Sequence, residues 1–314
     1  MAEEAAYELW HEIRRADIDQ QGALPKTIKK RDKQFEVMNT AIDCAINLYS
    51  SCDPQKIRVV TKAMMLLFLH DDVIEYAYSK DSDTILEQEI GIHGTAEETL
   101  RTDPDKGAIW ARFVRQTLEI DPVWGPGLLR GMIAWSAFTN EHQHSLRSSF
   151  STLSEYLQFR EMDVGNEVII ACLRYSCEFQ LTPSDVDAVH DLETLMVRHC
   201  LLTNDLFSFN KEQCERVSTG ASIVNTVECL RTLMTTSVSA AKSMALTLLW
   251  EVEQKMHEVY ERGLLEWTDL QALYAQRVIE LSAGNYFFSA TTYRYSTEAI
   301  KVHLDFASKV GASL

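Results

Sequence analysis

Two oxygen-rich stretches, more than a hundred residues apart, carry the chemistry this sequence could perform. The first, Asp71-Asp72-Val73-Ile74-Glu75, closes an apolar run from Met64 to Leu69. At helical spacing Asp71 and Glu75 share a face, where like charges repel, and carboxylates at a helix C-terminus also oppose the macrodipole. A cation removes the conflict, and Mg²⁺ takes carboxylates, water and phosphate oxygens. Alone, the stretch also fits an acidic, solvated helix end.

The second stretch is Asn204-Asp205-Leu206-Phe207-Ser208-Phe209-Asn210-Lys211-Glu212. Asn204, Ser208 and Glu212 fall at i, i+4 and i+8, one stripe over two turns. An amide oxygen, a hydroxyl and a carboxylate are three hard ligands suited to one Mg²⁺ that keeps water and phosphate. The residues leading in are apolar (Leu195, Met196, Val197, Leu201, Leu202), which puts the stripe at the mouth of a core. A solvated polar face remains the alternative for this stripe taken singly.

The elements that must position these residues read as helices throughout. Only 12 glycines and 6 prolines occur in 314 residues, so breakers are scarce. Periodicity predicts helices over about 58–79, 107–120 and 127–145, and helical patterns over 150–179 interrupted near Asp163-Val164-Gly165. Residues 81–106 are polar and broken by Gly91, Gly94 and Pro104, with a short helix at 83–90 compatible with the pattern. Thr182-Pro183-Ser184-Asp185 opens a helix running to about 215, Pro183 setting its first turn. Helices over 221–234, 237–262, 267–281 and 284–310 complete a single all-α domain spanning 1–314.

Composition excludes several classes. The formal net charge of −16 argues against nucleic-acid binding, which needs clustered Lys and Arg, while divalent cations can still bring a diphosphate to an acidic protein. The cysteines (Cys44, Cys52, Cys172, Cys177, Cys200, Cys214, Cys229) are odd in number and contain no C-x-x-C pair, so reduced thiols in the cytoplasm are expected. Met1-Ala2-Glu3-Glu4 is acidic without an apolar stretch behind it, so no signal peptide is expected. No run approaches the ~18 apolar residues of a membrane span.

The paired motifs, D-D-x-x-[DE] and N-D-x-x-S-x-x-K-E, resemble those of microbial (bacterial or fungal) class I terpene synthases, and both are complete here. Further elements of that family follow in order. Arg160 stands some forty residues before Asn204, at the place of the family's diphosphate-sensing arginine; Asp163 and Val164, three and four residues on, match the residues that link it to a helix break whose backbone carbonyl faces the substrate. Gly165 permits such a break, and an arginine fork suits phosphate oxygens. Near the end, Phe288-Ser289 and then Arg294-Tyr295 match an aromatic–serine pair and a dipeptide that donates to the diphosphate. Many bacterial members carry tryptophan where this chain has Phe288, which changes the pocket's contour.

The resemblance implies a helical bundle around an apolar cavity, with both motifs at its open end. It implies three Mg²⁺ ions, Mn²⁺ being able to substitute, held by Asp71 as a bridge together with Asp72 and Glu75, and by Asn204, Ser208 and Glu212. Arg160, Lys211, Arg294 and Tyr295 would neutralise the departing diphosphate, with Arg294 pairing to Asp72 on closure. Phe68, Trp135, Phe138, Phe207, Phe287 and Phe288 are candidate cavity walls for the cation, although for any one of them taken singly core packing is the readier explanation. The implied substrate is an isoprenyl diphosphate, farnesyl diphosphate preferred over geranylgeranyl diphosphate, in a cytoplasmic protein compatible with a homodimer and without membrane insertion.

Related chemistries fit less well. A chain-elongating prenyltransferase calls for two D-D-x-x-D motifs, and a class II cyclase for D-x-D-D, whereas Asp185-Val186-Asp187-Ala188 lacks the last aspartate. A non-catalytic helical interaction protein would show no metal-dependent diphosphate binding.

Overall fold

Eleven α-helices and no strand occur among the residues that this computed structural model describes, which are 1–21, 28–76, 109–142, 150–219 and 223–295. They are α1 (Ala2–Gln21), α2 (Ile28–Leu48), α3 (Lys56–Tyr76), α4 (Ile109–Ile120), α5 (Gly125–His142), α6 (Leu153–Asp163), α7 (Asn166–Ser176), α8 (Pro183–Thr219), α9 (Thr226–Leu233), α10 (Val238–Gly263) and α11 (Asp269–Thr291). The chain divides into two compact units, Met1–Ser145 with Gly165–Gln180, and Leu146–Val164 with Leu181–Leu314. No helix among the described residues is long and apolar enough to cross a membrane.

The first unit is built around α3. Val59, Val60, Ala63, Met64, Met65, Leu66 and Leu69 are buried on all sides of that helix, and α1, α2, α4, α5 and α7 pack against it. A helix apolar all round can only be an interior one. Its start is fixed by Asp53, whose Oδ1 accepts the backbone N–H of Gln55 at 2.7 Å and of Lys56 at 3.2 Å. Lys56 then donates to Cys177 O at 2.7 Å and pairs with Asp121 at 2.8 Å. Asp121 also accepts the N–H groups of Val123 and Trp124, both at 2.9 Å, at the entrance to α5. Burial alone would raise the Asp121 carboxyl, but Lys56 and these N–H groups outweigh it and hold it below the usual range.

The second unit is built around α8, 37 residues long, against which α6, α9, α10 and α11 pack. Thr182 Oγ1 accepts the Asp185 N–H at 3.3 Å, and Asp185 Oδ2 accepts the Thr182 N–H at 2.9 Å, a reciprocal cap at the helix start. Thr268 and Gln271 cap α11 in the same way.

The expected boundaries at 107–120, 127–145, 182 and 237–262 agree with α4, α5, α8 and α10 to within a few residues. The interruption near Asp163-Val164-Gly165 separates α6 from α7. The segment before residue 58, for which no element was read from the sequence, holds α1 and α2, α1 burying the stripe Ala5, Leu9 and Ile13. Two expectations differ. The break expected between 281 and 284 is absent: α11 runs through Gly284, because Tyr274, Val278, Leu281, Asn285, Phe288 and Ser289 form one continuous buried face. That burial outweighs the ~1 kcal/mol cost of a helical glycine. The helix therefore ends at Thr291 and not near 310, with Tyr293–Tyr295 in a turn and residues from 296 on outside the described ones. The expected short helix at 83–90 also lies outside the described residues. All seven cysteines are free thiols.

Candidate metal and diphosphate site

Helix α8 carries the second motif in the expected register. Leu192, Met196, Val197, Leu201 and Leu202 are buried in the turns leading to it, so the stripe emerges from packed helix. Ser208 is buried, and Asn204 and Glu212 are half-buried. Ser208 Oγ donates to Glu212 Oε1 at 2.5 Å, joining two members of the stripe. Asn204 makes different partners: its Oδ1 accepts from Arg160 Nη2 at 2.9 Å, and its Nδ2 donates to the Tyr295 hydroxyl at 2.6 Å. Residues from three parts of the sequence thus meet at one amide.

These residues fit a hard cation. Glu212 Oε2 is buried without a hydrogen-bond partner, the situation a buried carboxylate avoids unless a proton or cation supplies the missing contact. Burial, and then the neighbouring Asp205 charge, push the Glu212 carboxyl up to about 7. An amide oxygen, a hydroxyl and a carboxylate at i, i+4 and i+8 form an all-oxygen set of the kind Mg²⁺ takes. Among the described residues no three His, Cys, Asp or Glu side chains come together as a metal site, so this stripe supplies a single carboxylate beside an amide and a hydroxyl.

Arg160, on the last turn of α6, is buried. Its Nε and Nη2 donate to Asp205 Oδ1 at 3.0 and 2.8 Å, and its Nη1 donates to Asp163 Oδ2 at 2.6 Å. Desolvation alone would lower the guanidinium, but the Asp205 and Asp163 charges reverse that and raise it well above its ordinary value. Arg160 is a permanent cation here. Immediately afterwards α6 ends: the Val164 N–H donates to Arg160 O at 2.9 Å, and Gly165 takes φ 81° before α7 begins. That left-handed backbone favours glycine. A Cβ at Gly165 would also stand 3.2 Å from Trp135 Cδ1.

Other expected residues are placed as follows. Lys211 pairs with Glu215 one turn on, at 3.3 Å. Arg294 is half-buried in the turn after α11, its N–H donating to Thr292 Oγ1 at 3.3 Å. Asp71, Asp72 and Glu75 fall on the last turns of α3, where the side chains lie outside the described residues, as does the expected Arg294–Asp72 pair. Among the aromatics, Phe68 is half-buried, Trp135 meets His70 edge-on at 5.2 Å and Phe138 stacks on His142 at 4.2 Å, all in the first unit. In the second unit, Phe207 meets Tyr286 edge-on at 5.5 Å, and the two line a groove of about 680 Å³ with Leu206, Val238 and Leu246. Phe288 is buried and edge-on to Tyr295 at 6.2 Å, whereas Phe287 is 53% exposed.

Sequence reasoning passed over Asp205. It is wholly buried, and besides Arg160 its carboxylate accepts from the Tyr156 hydroxyl and from the Thr226 N–H and hydroxyl, each at 2.7 Å. Asn225 caps α9 through its Oδ1 while its Nδ2 donates to Asp205 O at 2.8 Å and to Ser208 Oγ at 3.4 Å. The acidic residue inside N-D-x-x-S was visible; partners from two distant segments, α6 and the start of α9, were not.

Comparison with known proteins gives this arrangement its relatives. Residues 62–255, which contain both motifs and Arg160, match the family described as terpene synthase family 2, C-terminal metal binding. Terpene cyclase aneC of Aspergillus aculeatus is 32% identical over 277 residues, 86% of this chain and 61% of that protein. Terpene cyclase 6 of Gibberella fujikuroi is 31% identical over 302 residues, 95% of this chain and 78% of that one. This chain therefore spans about three fifths of the first relative's length and over three quarters of the second's. The crystal structure of aristolochene synthase from Penicillium roqueforti shares the fold, with a TM-score of 0.65 over 91% of this chain and 95% of its own, at 20% identity.

Proposed function

This chain belongs to terpene synthase family 2, among the class I terpene synthases, and on that premise we propose that it ionises a linear isoprenyl diphosphate and cyclises the resulting allylic cation to a terpene hydrocarbon or alcohol, releasing diphosphate. One observation carries the reading furthest. The Arg160 guanidinium and the Asn204 amide, 44 residues apart, share a hydrogen bond of 2.9 Å, so a phosphate-binding fork and a member of the metal-binding stripe form one polar cluster.

In this reading residues 1–314 act as one synthase domain. Asn204, Ser208 and Glu212 hold one Mg²⁺, and Asp71, with Asp72 and Glu75, holds the others of a set of three. Bound Mg²⁺ supplies Lewis-acid neutralisation of the leaving diphosphate. Arg160, Lys211, Arg294 and Tyr295 bind the diphosphate oxygens and stabilise charge developing there, an electrostatic contribution that needs fixed donors. Asp163 and Val164 carry the movement of Arg160 to the α6–α7 break. Phe68, Trp135, Phe138, Phe207 and Phe288 offer aromatic faces to the cation, each worth ~0.5–2 kcal/mol when desolvated, and exclude water that would quench it; Phe287, 53% exposed, does not serve as such a wall. The substrate is farnesyl diphosphate, with geranylgeranyl diphosphate the alternative, and the protein works in the cytoplasm.

The test is incubation of the purified protein with the C10, C15 and C20 diphosphates, with and without Mg²⁺. Gas chromatography of the extract and release of inorganic diphosphate are followed together. A cyclic product from one substrate, dependent on Mg²⁺, is expected; no diphosphate released from any of the three refutes the proposal.

A further inference from the structure

A carboxylate with no solvent contact needs donors enough to replace its hydration. Asp205 has five: Arg160 Nε and Nη2 on Oδ1, and the Tyr156 hydroxyl, Thr226 N–H and Thr226 hydroxyl on Oδ2. An ionised carboxylate offers about four lone-pair sites, so Asp205 has none left for a metal. It also sits one residue, about 100° of helix, away from the face carrying Asn204 and Ser208. Although it lies inside the second motif, its occupied oxygens face Arg160, Tyr156 and Thr226.

The fork it holds is only partly engaged there. Of the five N–H groups on a guanidinium, Arg160 gives its Nε–H and one Nη2–H to Asp205, its other Nη2–H to Asn204 and one Nη1–H to Asp163. The edge against Asp205 faces a residue that is 0% exposed and tied in turn to α6 and α9. The Nη1 end instead meets Asp163, the last residue of α6, two residues before the left-handed Gly165. One edge is anchored and the other ends at the last residue of α6.

We propose that Asp205 is the positioning residue for Arg160: it fixes the Nε/Nη2 edge of the guanidinium so that the Nη1 end, now on Asp163, is the end that turns to a diphosphate oxygen. The proposal rests on the reading of Arg160 as a diphosphate-binding group. It assigns Asp205 no contact with substrate or metal.

The test uses the full chain labelled with ¹⁵N-arginine, the Arg160 Nε–H signal being identified by its loss in Arg160→Lys. Asp205→Asn should speed solvent exchange of that Nε–H at least about tenfold and lower kcat about a hundredfold, because a misaimed fork acts mainly in the transition state, with KM changed less than about fivefold. Tyr156→Phe removes one bond to Asp205 and none to Arg160, and should leave both readouts within about threefold even where it lowers the melting temperature as much. Unchanged exchange in Asp205→Asn, or a loss of kcat that tracks melting temperature across both variants, overturns the proposal. Should Asp205→Asn fail to fold, the wild type still decides: saturating Mg²⁺ and inorganic diphosphate must leave the Nε–H protected, and its deprotection on binding means Asp205 lets go. A wild type that turns over no isoprenyl diphosphate removes the functional reading, while the exchange data in Asp205→Asn still stand or fall separately.

Discussion

Replacing Gly165 by alanine tests the joint between α6 and α7 directly. Gly165 takes φ 81° and ψ 47°, the left-handed region, and its carbonyl accepts the Ile169 N–H at 2.9 Å to start α7. An L-residue held there costs roughly 1–2 kcal/mol. The new Cβ would meet Trp135 Cδ1 at 3.2 Å, so the indole must yield by a few tenths of an ångström. Together Gly165→Ala should lose about 1–3 kcal/mol, a fall in melting temperature on the order of 2–8 °C for a chain this large. Gly127 is the internal control: it lies in α5 with nothing within 4 Å of an added Cβ, so Gly127→Ala should gain up to about 1 kcal/mol. Thermal melts of the two variants must move in opposite directions. At a temperature where both are folded, Gly165→Ala should also lose about ten- to a hundredfold in turnover, since it displaces the backbone beside Val164, while Gly127→Ala keeps wild-type turnover. Two variants that melt alike, or a Gly165→Ala indistinguishable from wild type, would refute the backbone argument.

Three other perturbations probe different parts of the molecule. Glu212→Gln keeps the shape of the stripe and removes its charge, so Mg²⁺-dependent binding of inorganic diphosphate, followed by calorimetry, should weaken at least about tenfold; unchanged affinity removes Glu212 from the metal site. Asp121 has a folded pKa below its unfolded one, so its pairing with Lys56 contributes fully above about pH 4–5 and is lost as pH falls through the depressed value. Asp121→Asn should therefore lower the melting temperature at neutral pH and flatten its acid-side decline, and a variant with the same acid slope as wild type contradicts the assignment. Phe209 is wholly buried against Val227, Leu230, Ala241 and Ala245, so Phe209→Ala should cost about 3–5 kcal/mol in a denaturant titration, with a loss below about 1 kcal/mol showing that this core collapses around the cavity.

Much of the architecture is local and therefore readable in one dimension. The Pro183 start, the break before Gly165 and the i, i+4, i+8 register of Asn204, Ser208 and Glu212 depend on backbone rules that act over a few residues, and each agrees with the structure. So does the all-helical class, because few breakers and a 3.6-residue apolar period leave little room for strands.

What the sequence could not determine is whatever depends on which distant groups share a low-dielectric interior. The partners of Asp205 lie 49, 45 and 21 residues away in Tyr156, Arg160 and Thr226, and only burial makes that carboxylate an anchor and not one more acidic residue on a helix. The upward push on Glu212 has the same origin, since desolvation has no sequence signature. Gly284 was legible as a helix breaker, but the packed face from Tyr274 to Ser289 carries α11 through it, tertiary burial outweighing a local propensity of ~1 kcal/mol. The sequence by itself determined the all-helical class and the register of the stripe on α8; the tertiary structure put Arg294 and Tyr295 in a turn beyond α11 and decided which atoms around Arg160, Asn204 and Asp205 meet.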